Sequence, residues 1–106
     1  MRRLTYVTDP HHLEGAEEDP LIPGPGRRMA RFIRSLVEFG SAIPPGATGI
    51  SGVNCRRRPG RRPCAGSIVV ARRVEPPELH WECPQCRDHG VIHSWQGCRW
   101  DRSRST

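Results

Sequence analysis

The run WECPQCRDHGVIHSWQG, residues 81–97, places Cys83 and Cys86 two residues apart, with apolar–polar alternation on both sides. A CxxC turn presents two thiolates on the same side of a tight loop, which is half of a tetrahedral metal site. Before it, Leu79 and Trp81 alternate with His80 and Glu82. After it, Val91, His93 and Trp95 alternate with Ile92 and Ser94. Period-two alternation predicts half-buried strands over 79–82 and 90–95. Upstream, GSIVVARRV (66–74) is rich in β-branched residues and predicts another strand, separated from the next by Pro76 and Pro77.

A tetrahedral site needs a second pair of ligands. The remaining cysteines are Cys55, Cys64 and Cys98, so the spacings run C-x8-C, x18, C-x2-C, x11 to the last. Cys64 lies just before the 66–74 strand and Cys83 just after the 79–82 strand. If these strands pair antiparallel, the two cysteines reach the same end of the hairpin. The preferred ligand set is therefore Cys55, Cys64, Cys83 and Cys86, with Zn2+ as the cofactor. Other arrangements stay open: a CCHC site from Cys83, Cys86, His93 and Cys98; disulfides; a redox CxxC; or iron on four thiolates. Cys98 reads as a free thiol near the tail. His89 and His93 read as surface residues or as neighbours of the ligands.

CPQC at 83–86 resembles the CPxC turn of a zinc ribbon, over roughly residues 50–97. The chain departs from that pattern at Arg87, where a ribbon carries Gly, and in CRRRPGRRPC, where eight residues stand in place of two. Residues 81–97 also resemble the end of small bacterial proteins with the pattern WxCPxCGDxGVIxxWxG, which carry an Arg-rich C-x8-C segment upstream. The resemblance implies a metal-stabilised fold and no particular activity.

The charge follows the same division. All 17 basic residues are Arg, against 11 acids, for a net charge of +6 in 106 residues. Residues 1–54 balance six Arg with six acids, whereas residues 55–106 hold eleven Arg and five acids. Five of those Arg, at 56, 57, 58, 61 and 62, lie between Cys55 and Cys64, and Arg72 and Arg73 follow. Guanidinium forks bind phosphate bidentately, so Arg56, Arg57, Arg58, Arg61, Arg62, Arg72 and Arg73 are candidate nucleic-acid contacts. Four thiolates and one Zn2+ sum to −2, so Arg near the site can also serve to balance charge. An acidic protein surface is a third possible partner. Trp81 and Trp95 read as packing beneath the metal, with stacking on bases as the alternative.

Apolar residues make up only 35% of the chain, and Gly and Pro contribute 11 each. That leaves little for a large core, and a metal is expected to supply the missing stability. One helix is predicted over about 26–40, because Met29, Phe32, Ile33, Leu36 and Val37 share one face. Pro25 suits its first turn and Gly40 its end. Leu4–Val7 reads as a short strand. Asp9–Gly26, with four Pro, three Gly and five acids, reads as loop or disorder, and Asp101–Thr106 as a frayed tail. The Gly-rich GATGISG (46–52) lacks the Lys and the following helix of a phosphate loop.

The expected fold class is α+β: one amphipathic helix and a three- to four-stranded antiparallel zinc ribbon. The expected organisation is an N-terminal segment (1–46), a ribbon-like domain (47–98) and a flexible tail (99–106). No general acid–base pair or nucleophile motif appears, so a non-enzymatic protein is expected. No apolar run suits a membrane and no leader is evident, so the expected location is cytoplasmic, without a membrane or small-molecule partner.

Overall fold

Residues 6–56, 62 and 64–103 are described in a computed structural model of the protein. The apolar face at 29–37 forms the centre of helix α1, Gly24–Ala42. Pro25 occupies its first turn, where a missing N–H costs nothing. Gly40 does not end the helix, which continues to Ala42. The glycine lets α1 pass close over the sheet: a Cβ there would lie 2.9 Å from the Leu79 methyls and 3.0 Å from Val70 Cγ1. The helix ends at Ile43, whose N–H donates to the Phe39 carbonyl, and Pro44 and Pro45 follow.

Among the described residues the sheet has five strands: β1 (Tyr6–Thr8), β2 (Thr48–Asn54), β3 (Ser67–Arg72), β4 (Leu79–Glu82) and β5 (His89–Ile92). Their spatial order is β1-β5-β4-β3-β2. Strands β2 to β5 form an antiparallel meander. β1 pairs with β5 in parallel, Tyr6 opposite Gly90 and Thr8 opposite Ile92. The sheet is therefore mixed and five-stranded, not the purely antiparallel sheet of three or four strands that was expected. A parallel pair needs a long crossover, and the helix and the meander between β1 and β5 supply it. Leu4 and Thr5 lie outside the described residues.

Strand β2 was hidden by its glycines. Its register with β3 shifts between Ile50 and Asn54, and Gly52 there has φ +77°. This is a β-bulge, where glycine is at home. Ser51 secures it: its Oγ donates to the Ile68 carbonyl at 2.7 Å and accepts from the Val53 N–H at 3.0 Å.

One face of the sheet is covered by α1. Ile68 and Val70, Leu79 and Trp81, Gly90 and Ile92 point inward and meet Phe32, Ile33, Leu36 and Val37. Each fully buried aliphatic contributes about 1.5–3 kcal/mol. In the last strand Gly90 and Ile92 face the core. The strand ends at Ile92, and Ser94, with φ +54°, turns the chain so that Trp95 still enters the core at 1% exposure. Trp100 is also buried. On the opposite face Ile50 is 72% exposed and Val7 67%.

Segments expected to be loose are fastened. Asp9 caps a 3₁₀ turn, Pro10–Leu13, by accepting the His11 N–H. Glu17 pairs with Arg31 and Arg34 on α1. The Arg102 N–H donates to Ser41 Oγ, and its guanidinium reaches Glu38.

Candidate metal centre

The meander places four chain positions at one end of the sheet. Cys55 follows β2 and Cys64 precedes β3. Cys83 follows β4, and Cys86 lies in the turn leading to β5. Antiparallel pairing makes these ends coincide: Asn54 faces Ser67, and Val69 faces Glu82. The Cys55 N–H donates to the Gly66 carbonyl at 2.9 Å, which closes the first pair of strands.

The four sulfurs form one group. Cys55 Sγ lies 3.6 Å from Cys86 Sγ, and Cys64 Sγ lies 3.6 Å from Cys83 Sγ. All four lie within 4.8 Å of one another. These distances exceed the ~2.05 Å of a disulfide. A tetrahedral ion with metal–sulfur bonds of ~2.3 Å separates its ligands by about 3.8 Å, close to the two contacts observed. A polynuclear iron–sulfur cluster interposes several atoms and spreads its thiolates farther. The donor set is soft and complete for one tetrahedral ion. The group could therefore hold a metal ion.

The turn that presents Cys83 and Cys86 is closed at both ends. The Arg87 N–H donates to the Cys83 carbonyl and the Cys83 N–H to the Asp88 carbonyl, each at 2.8 Å. Arg87 sits at φ +68°. Glycine adopts that left-handed conformation at no steric cost, and Arg87 does not. Burial pushes the Cys83 thiol up, but the backbone N–H groups of Cys86 and Gln85 and the Cys64 and Cys86 side chains outweigh it, bringing the thiol down to about 7. The Gly66 N–H, 3.4 Å from Cys64 Sγ, favours the Cys64 thiolate. Burial and the Cys83 and Cys86 thiols oppose it, and the net shift is upward.

Gly66 was not evident as a site residue. A Cβ on it would overlap the Cys83 sulfur and approach Cys64 Sγ at 3.4 Å. Its only sequence signal is a glycine two residues after a ligand, at the mouth of a strand.

Among the described residues, Cys98 and His93 join no metal-holding group. Cys98 is packed in the core, where burial raises its thiol. His93 Nδ1 lies 2.9 Å from Ser94 Oγ, and His89 Nδ1 lies 3.1 Å from the Arg87 carbonyl.

Among the described candidate arginines, Arg56 and Arg72 make contacts in different parts of the fold. Arg57, Arg58 and Arg61 lie outside the described residues, and Arg62 is exposed. Arg56 donates to Met29 Sδ at 3.1 Å and lies over the Phe32 ring. Arg72 and Arg73 lie toward the far end of β3, on the order of 17 Å along the strand from Ser67. Arg72 turns inward: its NH1 donates to the carbonyls of Ser41 (3.0 Å) and Ile43 (2.7 Å), and its guanidinium lies over the Trp95 ring. It satisfies carbonyls at the end of α1. Arg73 is exposed. Among the described residues, no helix is long and apolar enough to cross a membrane.

Comparison with protein-family profiles, with curated proteins and with solved structures found no match.

Proposed function

We propose that this protein is a small non-enzymatic module built around one structural Zn2+ held by Cys55, Cys64, Cys83 and Cys86, and that its Arg-rich knuckle contacts nucleic acid. The observation that carries the first part is the convergence of two hairpin tips, each with two cysteines, into one group of sulfurs. Four thiolates leave no open position for substrate, which marks a structural centre. The arrangement is zinc-ribbon-like in that each knuckle sits between two paired strands. Thiolates persist as ligands in a reducing compartment, which fits the cytoplasm.

Support for nucleic-acid contact comes from charge. The net +6 resides in residues 55–106, and five Arg lie between two ligands. A centre of charge −2 needs fewer to be balanced. Arg56, Arg57, Arg58, Arg61 and Arg62 form the contact in this reading. Arg72 holds the helix end and Arg73 is peripheral.

Native mass spectrometry tests the metal. One zinc per chain is expected, lost in Cys55→Ser and kept in Cys98→Ser. Metal-free wild type overturns the reading, and loss in Cys98→Ser transfers the site to the CCHC set. Binding of DNA and RNA over a salt series tests the partner. Five phosphate contacts give a slope of log K against log salt of about −3.5 on single strands and −4.5 on duplex. Undetectable binding at low salt overturns that part. The sheet face opposite α1, where Ile50 and Val7 are exposed, favours a second reading as a protein-interaction module.

A further inference from the structure

A cavity of about 380 Å3 opens between α1 and the β1 edge of the sheet, beside the metal centre. Its volume lies within the range of small-ligand sites. Tyr6, Phe32 and Trp81 supply aromatic walls, Met29 an adaptable apolar one, and Arg56 and Asp88 opposite charges. Tyr6 is 41% exposed, and its ring is inclined by only 17° to that of Trp81, with centroids 6.3 Å apart. Phe32 meets Trp81 edge-on at 5.2 Å and holds the indole in place. The second cavity, at the far end of β3, has no aromatic lining.

This combination is selective. An aliphatic ligand would have no use for the two charges, and a simple anion none for the rings. A flat heterocycle stacks on the aromatic platform. A phosphate attached to it suits a guanidinium. Arg56 opens the Arg-rich knuckle in sequence, and its contact to Met29 is to a thioether, a weak acceptor readily exchanged for phosphate.

We propose that this cavity receives the base of a nucleotide, stacked on the exposed ring of Tyr6, which the buried Trp81 backs, with its phosphate on Arg56. The nucleotide is either free or an unpaired residue of a strand that continues along the knuckle. In the second form the proposal rests on the nucleic-acid reading above and assigns a base site to it.

The test uses the full zinc-loaded chain, with adenosine 5′-monophosphate and a 5′-phosphorylated tetra-adenylate as probes in isothermal titration, and the indole N–H signals followed by NMR. Tyr6→Ala is expected to weaken the bound probe about tenfold, the scale of one lost base stack, and Tyr6→Phe to restore it. Arg56→Gln is expected to weaken it as well, with metal content unchanged. Binding of both probes, sensitive to Tyr6, supports the strand form. Monophosphate binding alone supports a free nucleotide and removes the nucleic-acid reading. Tetra-adenylate binding that ignores Tyr6→Ala overturns the cavity proposal and leaves the knuckle standing. Binding of neither probe overturns both.

Discussion

Replacing Arg72 by Met separates two roles that the sequence could not distinguish. In the structure its guanidinium donates to the carbonyls of Ser41 and Ile43 and lies over Trp95. A hydrogen bond from a charged donor contributes about 1.5–3 kcal/mol, and a cation–π contact about 0.5–2 kcal/mol. Both bonds are only partly shielded from water, so the lower end of these ranges applies. The expected loss is about 3.5 kcal/mol, a large share of the roughly 5–15 kcal/mol of a small domain. At a urea slope of about 1.5 kcal/mol per M, the midpoint falls by about 2 M. The assay is urea unfolding at saturating zinc, because stability otherwise varies with metal concentration. Arg73→Met, at an exposed neighbour, should stay within about 0.5 kcal/mol of wild type. Metal stoichiometry and nucleic-acid affinity of folded Arg72→Met should be unchanged. An unaltered midpoint, or a loss of nucleic-acid affinity without a loss of stability, would refute the assignment of Arg72 to the helix end.

Gly66→Ala should weaken metal binding by about ten- to a hundredfold, because the added methyl displaces the Cys83 sulfur; chelator competition measures this, and wild-type affinity would mean that the site tolerates the displacement. Arg87→Gly relieves a left-handed residue at a cost of one exposed ion pair to Glu82, and a net stabilisation of up to about 1 kcal/mol is expected in thermal unfolding. Asp101 accepts the N–H groups of Gly97 and Ser103. Burial alone would raise its carboxyl, but these bonds and Arg72 bring it below 3.8. A lowered acid stabilises the fold above its unfolded pKa and stops doing so as pH falls through the folded one. The stability gap between wild type and Asp101→Asn should therefore be full above 3.8 and shrink below it. A gap that widens on acidification would contradict the assignment.

Local pattern and tertiary contact account for different parts of this molecule. Helix α1, strands β3 and β4 and the cysteine spacings were legible from residues 26–40 and 64–86, because burial on one face imprints a period of 3.6 or 2 on the chain. The inward positions of Leu79 and Trp81 follow from the same rule. Strand β2 was not legible, since the glycines that permit its bulge erase the alternation that would reveal it. The parallel pairing of β1 with β5 joins residues more than eighty apart and leaves no local trace. Gly40 illustrates the limit at a single residue. Its type suits a helix stop, but its use is set by Leu79 and Val70 across the interface. The sequence by itself determined the cysteine spacings and that the basic charge lies beside them. Only the tertiary structure decided that the pairs meet, that Arg72 faces inward and that Gly66 must lack a side chain. Those outcomes depend on which surfaces are brought within a few ångströms of each other, and a one-dimensional pattern does not encode that distance.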